Sequence, residues 1–111
     1  MRLSEKQRLF SKCLEALLRH IHDNLEYEVT FGEVYRTKYQ QEEYMRLGKS
    51  WTMNSKHLER RAVDLNLFIG GRYQMKHDAY IPLGEYWKTL HEKCVWGGDW
   101  TQRDSGHFEI K

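Results

Sequence analysis

Apolar residues in the first quarter of the chain recur with a helical period. Phe10, Cys13, Leu14, Leu17, Leu18 and Ile21 fall three or four apart and so share one face of a helix. Ser4 followed by Gln7 predicts a capping box at its start, and the pattern runs out near Asp23-Asn24. His20 and His22 lie in the last turn, where a cation suits the helix dipole. Tyr27 to Tyr35 has the β-branched and aromatic content of a short strand, broken by Gly32. Thr37 then caps a second helix running to about Leu47, with Gly48 as its stop. The polar, irregular stretch from Lys49 to Lys56 predicts a loop.

At Ala62 the period changes to two. Val63, Leu65, Leu67 and Ile69 take one face of a strand, and Ala62, Asp64 and Asn66 take the other. Asp64 therefore stands on the non-core face of a rigid element, a good platform for a ligand. Gly70-Gly71 predicts a hairpin turn, with Tyr73 to Met75 returning. His77-Asp78 reads as a solvated turn. Pro82 opens a third helix on which Leu83, Trp87, Leu90 and Cys94 share a face, with His91 on its polar side. Gly97-Gly98 breaks the chain. His107 to Ile110 alternates as a last strand, with His107 and Glu109 facing one way and Phe108 and Ile110 the other. The expected fold is α+β: a single domain over residues 1–111, with a small, mainly antiparallel sheet and about three helices packed around it.

Composition narrows the function classes. A chain of 111 residues has room for one modest core, and 40% hydrophobic with 31% charged residues is a globular balance rather than a disordered one. A net charge of +2 is too small for the basic stripe of a nucleic-acid binder. Cys13 and Cys94 show no CxxC spacing, and each lies among apolar residues of a predicted helix, as buried thiols do. A disulfide between them is compatible with the sequence but unsupported by it. No stretch reaches membrane-spanning length, and Met1 to Phe10 lacks the apolar run of a signal peptide. The chain is expected to be cytoplasmic as synthesised, with no membrane insertion.

The candidate chemistry sits in two segments, Ser55-Lys56-His57 through Ala62-Val63-Asp64, and Asp104-Ser105-Gly106-His107-Phe108-Glu109. Two imidazoles and one carboxylate are suitable ligands for a zinc ion with an open position, and such a site lowers the pKa of a bound water toward about 7. On spacing alone these residues are as consistent with unrelated polar positions, since no HExxH helix locks them together.

The order of motifs resembles the zinc D-Ala-D-Ala carboxypeptidase and L-alanyl-D-glutamate peptidase family, which cuts bacterial peptidoglycan and includes phage endolysins. Five elements carry the likeness: Tyr35-Arg36-Thr37 with Gln41, Leu47-Gly48-Lys49-Ser50, the Ser-x-His…Asp block, Trp96-Gly97-Gly98-Asp99-Trp100, and Asp-x-x-His-Phe-Glu. The resemblance implies that His57, Asp64 and His107 hold one Zn2+. It implies that Asp104 takes a proton from the attacking water and later gives one to the leaving amine. Arg36 would stabilise the oxyanion or grip the substrate carbonyl, Ser55 would hydrogen-bond substrate, and Gln41 would support the site. Asp99 and Glu109 would orient a ligating histidine. One departure stands out: Arg60 occupies the position, three residues after His57, where many members have glycine, so the cleft wall there must differ. The implied partner is bacterial peptidoglycan, attacked after release by a monomeric endolysin of phage or prophage type. The alternative is a non-catalytic zinc-containing binding module of the same fold, which would have no need of Asp104.

Overall fold

The computed structural model describes residues 1–49 and 55–111, so most of the stretch from Lys49 to Lys56, with Ser50, lies outside the described residues. Helix α1 runs Leu3–Arg19 and widens into a π-helical turn, His20–Asn24. It starts earlier than the Ser4–Gln7 box predicts, with Arg2 as N-cap and the Glu5 carboxylate accepting the Arg2 backbone N–H at 3.2 Å. Gln7 is drawn away from capping by a tertiary partner, donating from Nε2 to the Glu59 carbonyl at 2.8 Å. Strand β1 (Glu28–Phe31) stops at Gly32, and α2 (Lys38–Arg46) is capped by the Thr37 hydroxyl, which accepts from the Gln40 N–H at 3.0 Å.

Strands β2 (Ala62–Ile69) and β3 (Arg72–Gln74) form the expected hairpin, and β4 (Cys94–Trp96) and β5 (His107–Ile110) follow helix α3 (His77–Leu90). Helix α3 begins before Pro82, which lies inside it. As the sixth residue of the helix, Pro82 has no N–H to donate back along it. His77 in the first turn stacks on Trp96, centroids 5.2 Å apart, and its Nδ1 lies 2.7 Å from Ser105 Oγ, so it is not a solvated turn residue. His91 is likewise not on the helix's polar side. It is the C-cap in extended conformation, and its Nδ1 accepts the Lys93 N–H at 3.0 Å. Cys94 is buried as expected but belongs to β4, because α3 ends at Leu90.

All strand pairs are antiparallel, in the order β1-β2-β5-β4, with β3 also on β2. Phe10 and Leu17 of α1, Ile21 of the π-helical turn, and Leu83 and Trp87 of α3 bury against Val63, Leu65, Leu67, Phe108 and Ile110. Each such side chain contributes about 1.5–3 kcal/mol by leaving water. The alternate positions, Asp64 on β2 with His107 and Glu109 on β5, take the opposite side of their strands. Among the described residues no helix is long and apolar enough to cross a membrane.

Candidate active site

The β2–β5 ladder makes Asp64 and His107 direct Cα partners. On the other edge of β2, the Gly32 N–H donates to the Asp64 carbonyl at 2.7 Å and the Asp64 N–H donates to the Glu33 carbonyl at 2.8 Å. A side chain at Gly32 would meet the Asp64 carbonyl oxygen at 3.2 Å, so the missing Cβ allows this close approach. His57 comes from a 3-10 turn, Lys56–Glu59, capped by the Ser55 hydroxyl accepting the His57 N–H at 3.3 Å. That turn closes through Arg60 at φ 54°, ψ 40°, the left-handed region. Here is a backbone reason for glycine at this position, and an arginine there carries a cost of about 1–2 kcal/mol. Its guanidinium lies over the Tyr35 ring, 3.9 Å from the centroid, which offsets part of that cost.

These elements bring His57 Nε2 to 3.4 Å and His107 Nδ1 to 3.1 Å from Asp64 Oδ1. One donor atom from each of the three residues lies within 4.8 Å of the other two, the spacing of a group that could hold a metal ion. The second nitrogen of each imidazole has its own partner. His57 Nδ1 is 3.4 Å from the Val34 carbonyl, and His107 Nε2 is 2.7 Å from Glu109 Oε1. Such outer contacts fix the ring orientation and leave the remaining nitrogen aimed inward. The histidines are 2% and 5% exposed, while Asp64 is half-buried.

Charge in the site is tightly coupled. Burial works against an ionised Asp64, but hydrogen bonds from His107 and His57 outweigh it and hold the carboxyl below the ordinary range. Burial likewise opposes a His107 cation, yet Asp64 and Glu109 raise its pKa to about 9. The metal-free pocket therefore keeps a proton between two carboxylates, where a cation is favoured. Asp104 sits at the rim, its side chain 54% exposed and its Oδ2 3.9 Å from His107 Nδ1. Partial desolvation and the nearby Asp64 charge push its pKa upward.

Gly97 is the support beneath that turn. The Asp104 N–H donates to the Gly97 carbonyl at 3.0 Å, and the His107 N–H to the Asp104 carbonyl at 3.1 Å. A Cβ at Gly97 would stand 2.4 Å from the Asp104 carbonyl oxygen, closer than a side chain can sit, and 3.0 Å from His107 Cβ, a tight contact.

Arg36 donates its backbone N–H to the His57 carbonyl at 3.1 Å. Its guanidinium is held by Glu33 and the Gln41 side-chain oxygen, lies 4.6 Å over the Tyr44 ring and reaches within 3.5 Å of Ser55 Oγ. Gln41 is 0% exposed. Arg36, Gln41 and Ser55 thus converge beside His57, and Glu109 meets His107. Asp99 does not join them, because it pairs with Lys88 Nζ at 2.9 Å and is half open to solvent. Sequence reasoning missed Glu33, the Val34 carbonyl, Tyr44, and Trp100, whose ring packs 5.0 Å from that of His107. Glu33 lies three residues before Arg36 and was findable; a backbone carbonyl such as that of Val34 has no side-chain signature.

A family model described as D-alanyl-D-alanine carboxypeptidase matches residues 48–110. The chain belongs to this peptidase family. The match spans His57, Asp64, Asp104 and His107, whereas Arg36 and Gln41 precede it. Among solved structures the peptidase is similar to the Serratia marcescens L-Ala D-Glu endopeptidase ChiX, with a TM-score of 0.78 and 25% identity over 99% of this chain and 86% of that one. No curated protein matches it.

Proposed function

We propose that this peptidase hydrolyses an amide bond in the stem peptides of bacterial peptidoglycan, with one zinc ion held by His57, Asp64 and His107. The observation that carries the reading is the convergence of two buried imidazoles and Asp64, with Asp104 at the rim, in a chain of this peptidase family. The donor set fits the metal: two nitrogens and one carboxylate oxygen, each imidazole pre-oriented from its far side. When bound, zinc supplies a Lewis acid that polarises the scissile carbonyl and acidifies water.

The chain's own residues divide the rest. Asp104 receives the proton of the attacking water and returns one to the leaving amine, and a carboxyl with a raised pKa suits a group that must hold a proton for part of the cycle. Arg36, anchored by Glu33 and Gln41, presents a fixed cation beside His57 where the carbonyl oxygen gains negative charge. Ser55 offers a hydroxyl to the bound peptide, and Glu109 holds the His107 ring in place.

Likeness to the Serratia endopeptidase over nearly the whole chain favours the L-Ala–D-Glu bond, while the family description names D-Ala-D-Ala. Both bonds place a D-residue with a free carboxylate on the amine side, so one site of this design suits either. The role as a monomeric phage or prophage endolysin is supported by the sequence resemblance. Purified peptidoglycan incubated with zinc-loaded protein should release peptides that begin with D-Glu, as read by mass. Release of terminal D-Ala alone would assign the carboxypeptidase reaction. No release by metal-loaded protein would favour the binding module.

A further inference from the structure

Away from the site, two thiols separated by 81 residues in the chain meet in the core: Cys94 Sγ donates to Cys13 Sγ at 3.7 Å. Cys13 lies on the buried face of α1 between Phe10 and Leu17, and Cys94 begins β4 opposite Ile110. Both are free and buried. A disulfide requires sulfurs at about 2.05 Å, so the two Sγ atoms must close by roughly 1.6 Å.

We propose that Cys13 and Cys94 are a modification site, oxidised by a disulfide-bearing reagent to a bond that staples α1 to the edge of the sheet. The balance is that of thiol–disulfide exchange. One cysteine thiolate attacks a sulfur of the reagent RSSR, forming a mixed disulfide and releasing RS−. The second thiolate attacks the protein-side sulfur of that mixed disulfide and expels the other RS−. The two cysteine protons end on the two RSH products, and the two electrons pass to the reagent.

Burial decides when this can happen. It pushes both thiols up, Cys94 to about 12, so neither is an effective nucleophile while α1 is docked. Exchange therefore takes place before α1 packs, or when it lifts. The folded dithiol resists oxidation, whereas a chain that folds or re-opens among disulfides is trapped in the stapled form. The inference rests on the thiol geometry and is independent of the reaction proposed above.

The test uses the whole chain and a glutathione couple. Protein refolded from denaturant in oxidised and reduced glutathione should lose two mass units, show no titratable thiol when denatured again, and remain monomeric. Its melting temperature should rise by about 10 to 20 °C, reverting with reductant, as expected for closing a loop of this length. Native protein under the same couple should react far more slowly. A Cys13→Ala control should show no two-unit mass loss and no such rise. Persistence of both thiols after refolding, glutathione adducts on both cysteines, or disulfide-linked dimers as the main product would overturn the proposal. The wild-type mass and thiol count decide it even where Cys13→Ala does not fold.

Discussion

Asp104 owes its raised pKa to partial desolvation and to Asp64, and its Oδ2 lies 3.9 Å from His107 Nδ1, within reach of a proton at the site. Asp104→Asn should leave metal content normal and cut turnover by about a hundred- to ten-thousandfold; near-normal turnover in a metal-loaded variant would remove it from the mechanism. Arg36→Ala should lower kcat about a hundredfold, with lysine rescuing only part, since it cannot serve Glu33 and Gln41 as a planar fork. An unchanged kcat would leave Arg36 a structural cation. His107 sets a pH dependence. Its pKa of about 9 exceeds the ordinary 6.5, so in the metal-free protein its stabilising effect is full below about 6.5 and lost as pH rises through 9. A metal needs the neutral ring. Binding near pH 7 to 8 should therefore release about one proton, and affinity should weaken up to tenfold per unit as pH falls below 9. Calorimetry in buffers of different ionisation enthalpy reads the proton directly, and no release would contradict the coupling.

Elements, rather than residues, place these groups. The Gly97–Asp99 turn packs against the backbone of Asp104, so Gly97→Ala must displace the carboxylate turn or the base of His107. Turnover is expected to fall by at least about tenfold and the melting temperature by several degrees, while His57 and Asp64 keep their arrangement; wild-type kinetics would show that the turn is pliable. How much of this was legible depended on the kind of signal. The alternation in Ala62–Ile69 and His107–Ile110 was legible as the two strands that carry Asp64 and His107, with their faces, because a period of two is the mark of a half-buried strand. The start of α3 was not legible, since Pro82 imitates a first-turn proline and only the packing of His77 on Trp96 reveals the preceding turn. Arg60 was visible as a departure, but its left-handed backbone and its stacking on Tyr35 were not. Asp99 carried the right chemistry in a familiar motif, and Lys88, eleven positions away and on another element, holds it elsewhere.

At the scale of the molecule, the ion would tie together three stretches that the covalent chain leaves far apart. A ligand that binds only the folded form adds stability by mass action, about 4 kcal/mol at a thousandfold excess over Kd. Chelation should accordingly lower the melting temperature by several degrees or more as well as abolish activity, and zinc should restore both; a melting curve indifferent to zinc would count against binding at this site. The pairing of Asp64 with His107 also has a consequence in time. His107 follows its partner by 43 residues and sits on the last strand of the fold. A ribosome that has finished Gly106 has already made His57, Asp64 and Asp104, but not the second imidazole. A metal site that uses His107 would therefore stay incomplete, however early His57 and Asp64 are made, until β5 has paired with β2.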